Sequence, residues 1–240
     1  MGSEADKFIK NRLSRTAMID SRIKKLLAYI IDCYNKTVED GKQYDYSKRG
    51  KISQENFLRN GLVNDYLRCN LNSLNSGTEY YTVINKESNE TYTSAIDGLT
   101  HDDPIDIHIV DKALQASWNT DKQIYYALEC KRISQLSDSA SYIGDIKKST
   151  ERDYKGMRLP YEGQIAFIEN SKLTHIKIAE DINKKLSTHT SIITNKPLEA
   201  VQISNSFNGS YISVHNKIFG DNANFTIHHL LFDYSAIVIQ

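Results

Sequence analysis

Near the N-terminus the apolar residues recur at helical spacing. Ile19, Ile23, Leu26, Leu27, Ile30 and Ile31 make one stripe of a helix predicted over 4–38, and Lys7, Lys10, Arg12, Arg15, Lys24 and Lys25 occupy its remaining faces. A polar loop over 41–50 follows. Ser53 is a good N-cap for a second helix, which runs through Phe57, Leu58, Leu62, Val63, Tyr66 and Leu67. Turn residues fill 70–78, and beyond them the spacing becomes that of strands. Segments 79–85 and 91–96 are expected to form a short hairpin, followed by strands over 105–110 and 124–132. A helix is expected over 141–158 and an apolar strand over 163–169. Ile176, Ile178, Ala179, Ile182 and Leu186 define an amphipathic helix over 173–187, and further strands are expected at 198–203, 211–215 and 225–232. This order predicts an α/β fold with a mixed central sheet whose apolar side is covered by helices.

The polar residues that bear on chemistry sit on two of these strands. In Pro104-Ile105-Asp106-Ile107-His108-Ile109 the isoleucines form the apolar face, which leaves Asp106 on the other. In Tyr126-Ala127-Leu128-Glu129-Cys130-Lys131, Glu129 and Lys131 share one face while Tyr126, Leu128 and Cys130 share the opposite one. If the strands pair, two carboxylates and an ammonium converge. Mg²⁺ takes oxygen ligands and often only one or two carboxylates, so Asp106 and Glu129 suit it, with the Cys130 carbonyl as a third ligand and Mn²⁺ as a substitute. Lys131 beside such an ion orients or helps to deprotonate an attacking water.

This pattern resembles the PD-(D/E)XK nuclease superfamily. Asp106 stands for the family's aspartate and Glu129-Cys130-Lys131 for its (D/E)-x-K. Pro104 precedes Ile105 rather than the aspartate, so both Asp103 and Asp106 are candidates for the ligand, and periodicity favours Asp106. E-x-K by itself is commonplace on exposed strands; the matching aspartate, the apolar flanks and a basic helix afterwards distinguish this one. The resemblance implies a restriction-endonuclease-like core, with a helical extension over 1–50 and the nuclease-like domain over 51–240. It also implies a further glutamate on a helix ahead of the sheet, a place filled by Glu55. Its functional implication is a Mg²⁺-dependent endonuclease hydrolysing phosphodiesters in DNA, with RNA as an alternative substrate. The biological setting it implies is bacterial restriction or phage defence, as a homodimer or as one subunit of a larger complex. The rival expectation is a protein of the same fold that binds nucleic acid or assembles without cutting.

Lys148, Arg152 and Lys155 are spaced to share one face of the helix expected over 141–158, where they would follow a phosphate backbone. Gln164 is expected in the sheet, and His108 on the same face as Asp106. His215, His228 and His229 are expected to be structural, because adjacent residues on a strand face opposite ways and zinc needs three or four convergent ligands. Lys and Arg together number 30, as do Asp and Glu, so any nucleic-acid contact must come from local clustering and not from net charge. Three cysteines without metal-binding spacing point to reduced thiols. Neither a secretory signal nor a membrane-length apolar run is visible, so a cytoplasmic protein without membrane contact is expected.

Overall fold

The computed structural model describes residues 4–74, 77, 79–154, 157–218 and 223–240, without the side chains of 4–15 and Met157. Helix α1 (Glu4–Glu39) turns Ile23, Leu27, Ile30 and Ile31 inward. After the short strand β1 (Tyr44–Asp45), Ser53 caps α2 (Gln54–Gly61) by accepting the Asn56 N–H. The expected continuation to Leu67 is present, but residues 62–67 wind as a π-helix, with Arg68 N–H donating to the Val63 carbonyl.

The strands β2 (Thr82–Ser94), β3 (Thr100–Asp111) and β4 (Ile124–Ile133) form an antiparallel meander, interrupted between the last two by α3 (Lys112–Ser117). The hairpin expected over 79–96 is instead one long strand. Its polar middle looks like a turn, but Glu87 absorbs the irregularity with a φ of 53° and the strand continues. Next come α4 (Ser139–Glu151), β5 (Arg152–Tyr154), β6 (Met157–Ile168), α5 (His175–Ser187), β7 (Thr194–Ala200), β8 (Ser210–Asn216), β9 (Asn224–Asp233) and the short β10 (Val238–Ile239). The main sheet has eight strands in the order β5-β2-β3-β4-β6-β9-β8-β7. β4, β6 and β9 run parallel, and α4 and α5 lie in the connections that parallel neighbours require.

Helices cover both faces of the sheet, not the apolar side alone, because β6 and β9 are apolar on both faces. Ile165, Phe167, Leu230 and Phe232 join α1 and α2 in one cluster, while Ala166, Ile168, Ile227 and Leu231 join α4 and α5 in another. Among the described residues no helix is long and apolar enough to cross a membrane. The three cysteines are free thiols.

Candidate functional site

The β3–β4 ladder runs from Val110–Tyr125 to Ile107–Leu128 and stops there. One step further on in register come Asp106 and Glu129, near enough for their charges to interact, where the two strands part. With no backbone partner left on β3, the Cys130 N–H donates to Asp106 Oδ2 at 2.8 Å. Asp106 Oδ1 accepts from Arg59 Nη1 at 2.7 Å, and the same guanidinium donates to Glu87 Oε1 at 2.6 Å. The β2–β3 register skips the step at which Glu87 would pair with Asp106, and Arg59 joins the two carboxylates across it. Ile105, next to this gap, departs from the expected stripe. Ile107 and Ile109 enter the main core, whereas Ile105 packs with Val110, Tyr125 and Ala127.

Lys131 projects into the fork. Its Nζ lies 3.1 Å from Glu55 Oε1, 3.2 Å from the Cys130 carbonyl and 3.1 Å from Asp145 Oδ2. The second oxygen of Glu55 accepts the Arg132 N–H, so α2 is fastened to β4 at two consecutive residues. Glu55 and Arg59 are four apart, which puts both on the α2 face that meets the fork. Burial works to lower the Lys131 pKa, but Asp145, Glu55 and Asp106 overcome it and hold the pKa above the ordinary lysine value.

Glu129 has no hydrogen bond or ion pair with the described residues. Burial, then the charges of Asp106 and Asp145, push its pKa well above the usual carboxylate range. A half-buried carboxylate crowded by two others is a place where a cation would relieve repulsion. Oxygen donors of this kind fit a hard divalent ion, which takes few protein ligands and completes its shell with water. Among the described residues, no group of three or more His, Cys, Asp or Glu side chains forms a ready metal cage.

No protein-family model, curated protein or solved structure matches this chain.

The structure brings Asp106, Glu129, Lys131 and Glu55 together, with the Cys130 backbone between them. The basic stripe is not assembled. Helix α4 ends at Glu151, and Arg152 opens the edge strand β5, which pairs with the end of β2. There Arg152 forms an ion pair with Asp103 at 2.7 Å and stacks over Tyr92. Lys155 lies outside the described residues. Lys148 remains on α4, half exposed, 3.1 Å from Asp145 Oδ1. Gln164 donates to the Tyr142 carbonyl, and His108 is buried against Tyr125. His229 and His215 share the Ser213 hydroxyl, and the chain continues to Tyr142 at one end and Thr194 at the other. This is a satisfied buried polar network.

Three residues that sequence reasoning missed matter here. Arg59 and Asp145 contact the fork directly. Arg158 is buried between Glu90 and Glu162, and its charge works to lower the Glu129 pKa. Arg59 shares a helical face with Glu55, a spacing visible in the sequence. Neither Asp145 nor Arg158 carries a comparable signal.

Proposed function

We propose that this protein is a divalent-metal-dependent endonuclease that hydrolyses phosphodiester bonds in DNA, built on a restriction-endonuclease-like core. The observation that carries the reading is the fork: Asp106 and Glu129 are adjacent where β3 and β4 separate, and Lys131 sits close enough to feel the charge of Asp106. The element order supports it as well, because α2 precedes a three-strand meander and, after α4 and the short β5, β6 lies parallel to the meander's third strand.

Asp106, Glu129 and the Cys130 carbonyl would hold the ion, with Glu55 completing the set. In a strand the N–H and C=O of one residue point to the same side, so the Cys130 carbonyl faces the gap as its N–H does. Mg²⁺ or Mn²⁺ bound there would polarise a phosphoryl oxygen and lower the pKa of its water. Lys131, held as an ammonium, orients the attacking water and offsets charge that builds on the phosphate. Lys148 contacts the substrate backbone. A place in bacterial restriction or phage defence belongs to the same reading.

A second reading has its own observation. Both Asp106 oxygens are already engaged, by Arg59 and by the Cys130 N–H, as in a protein that binds nucleic acid without cutting it. Each carboxylate oxygen has a further lone pair, so these contacts leave room for a cation. Supercoiled plasmid incubated with the protein and Mg²⁺ or Mn²⁺, with and without EDTA, decides between the two. Metal-dependent nicking that is lost in Lys131→Ala supports the nuclease, and binding without nicking supports the second reading.

A further inference from the structure

Lys131 Nζ has three oxygen neighbours: Glu55 Oε1, the Cys130 carbonyl and Asp145 Oδ2. An ammonium has three N–H groups, so this environment leaves little for a water molecule. The three oxygens are not equivalent. Glu55 and the Cys130 carbonyl belong to the set assigned above to a divalent ion. Asp145 comes from α4, on the other side of the fork, and its side chain is 4% exposed. Its Oδ1 lies 3.1 Å from Lys148 Nζ and its Oδ2 3.1 Å from Lys131 Nζ, so one buried carboxylate holds both ammonium groups. Helix α4 is itself fixed to the sheet one turn earlier, where the Tyr142 hydroxyl meets His229 and the Tyr142 carbonyl takes the Gln164 amide.

We propose that Asp145 is a positioning residue for Lys131, holding the ammonium beside Glu129 once Glu55 and the Cys130 carbonyl turn to a divalent cation. The inference rests on the metal-site reading. When those two acceptors are withdrawn, two Lys131 N–H groups become free for water or a phosphate oxygen. Asp145 then keeps the amine from following its former partners onto the ion's ligands. It acts through Lys131, and not as a ligand.

Mn²⁺ binding measured by calorimetry, without DNA, tests this across wild type, Asp145→Asn, Lys131→Met and the double variant. In Asp145→Asn the amine leans on Glu55 and the Cys130 carbonyl and competes with Mn²⁺, so affinity is expected to fall about tenfold. With Lys131→Met no amine competes, and adding Asp145→Asn is expected to change affinity by less than about twofold. An equal loss in both backgrounds is the behaviour of a direct ligand or a general charge, and it overturns the inference while leaving the metal site standing. Wild type that binds no Mn²⁺ overturns the metal-site reading and this inference together. Circular dichroism checks folding. If Asp145→Asn does not fold, Asp145→Glu serves instead, because it keeps the charge and moves it by one methylene. Its Mn²⁺ affinity is expected to stay within about twofold while single-turnover cleavage falls at least about tenfold; cleavage at the wild-type rate overturns the inference.

Discussion

Arg59 Nη1 lies 2.7 Å from Asp106 Oδ1, and the Arg59 side chain is only 2% exposed. A guanidinium this deep is stable only while its carboxylates stay in place, and of the two, Asp106 is much the more buried. Arg59→Leu therefore leaves Asp106 without its cation and is expected to destabilise the fold by about 3 kcal/mol, read from urea unfolding. Glu87, at 50% exposure, is the weaker partner. Glu87→Gln is expected to cost less than about 1 kcal/mol.

Glu55 holds Lys131 and the Arg132 N–H from a separate helix. Glu55→Gln keeps the shape and loses the charge. Plasmid nicking under saturating Mg²⁺ is expected to slow by about 10–100-fold, with little change in thermal stability.

Lys148 and Arg152 are expected to part company in DNA binding. Lys148 is half exposed, so Lys148→Ala should weaken binding to any sequence and lower the salt slope of the binding constant by about 1. Arg152 is occupied by Asp103 and Tyr92. Arg152→Ala is expected to leave the salt slope unchanged and to appear as lost stability, when both variants are titrated with duplex DNA at several salt concentrations.

His215 gives the fold an acid sensitivity. Burial lowers its pKa from 6.5 to about 4, and His229 is lowered as well, by burial and then by His215 and His228. Well above pH 6.5 the ring is neutral in both folded and unfolded chains, and stability is unaffected. Below that, the unfolded chain takes up a proton that the folded one refuses, so stability falls until the pH reaches about 4. The loss from His215 amounts to about 3 kcal/mol. Urea midpoints measured between pH 7 and pH 4.5 should fall, and His215→Gln should flatten the decline.

Gly163 tests the packing behind the fork. A Cβ at this position would come within 2.7 Å of Leu128 Cγ and of the Tyr126 hydroxyl, on the strand that carries Glu129. Gly163→Ala is expected to destabilise by about 1–3 kcal/mol and to reduce nicking beyond the stability loss, measured well below its melting temperature.

How far the sequence could be read follows from the range of the forces involved. Strand alternation is local, so the shared face of Glu129 and Lys131 was legible, as was the Ser53 cap, whereas the isoleucine stripe that assigned a face to Asp106 breaks at Ile105. The partners of Arg59 could not be read, because they are set by a pairing register that skips a step beside Glu87. Asp145 reads as a surface acid in a polar helix, and only the docking of α4 turns it toward Lys131. The expected helix over 141–158 failed at Arg152 because the chain there is captured by the edge of β2, a tertiary gain that outweighs local propensity.

Ile30 and Ile31 of α1 belong to the same apolar cluster as Leu128 and Cys130, the residues on either side of Glu129. The long N-terminal helix is thus part of the floor on which the acidic fork rests. Proteolytic removal of α1 would wet the underside of β4, and the spacing of residues 106 and 129 would slacken although neither had been altered.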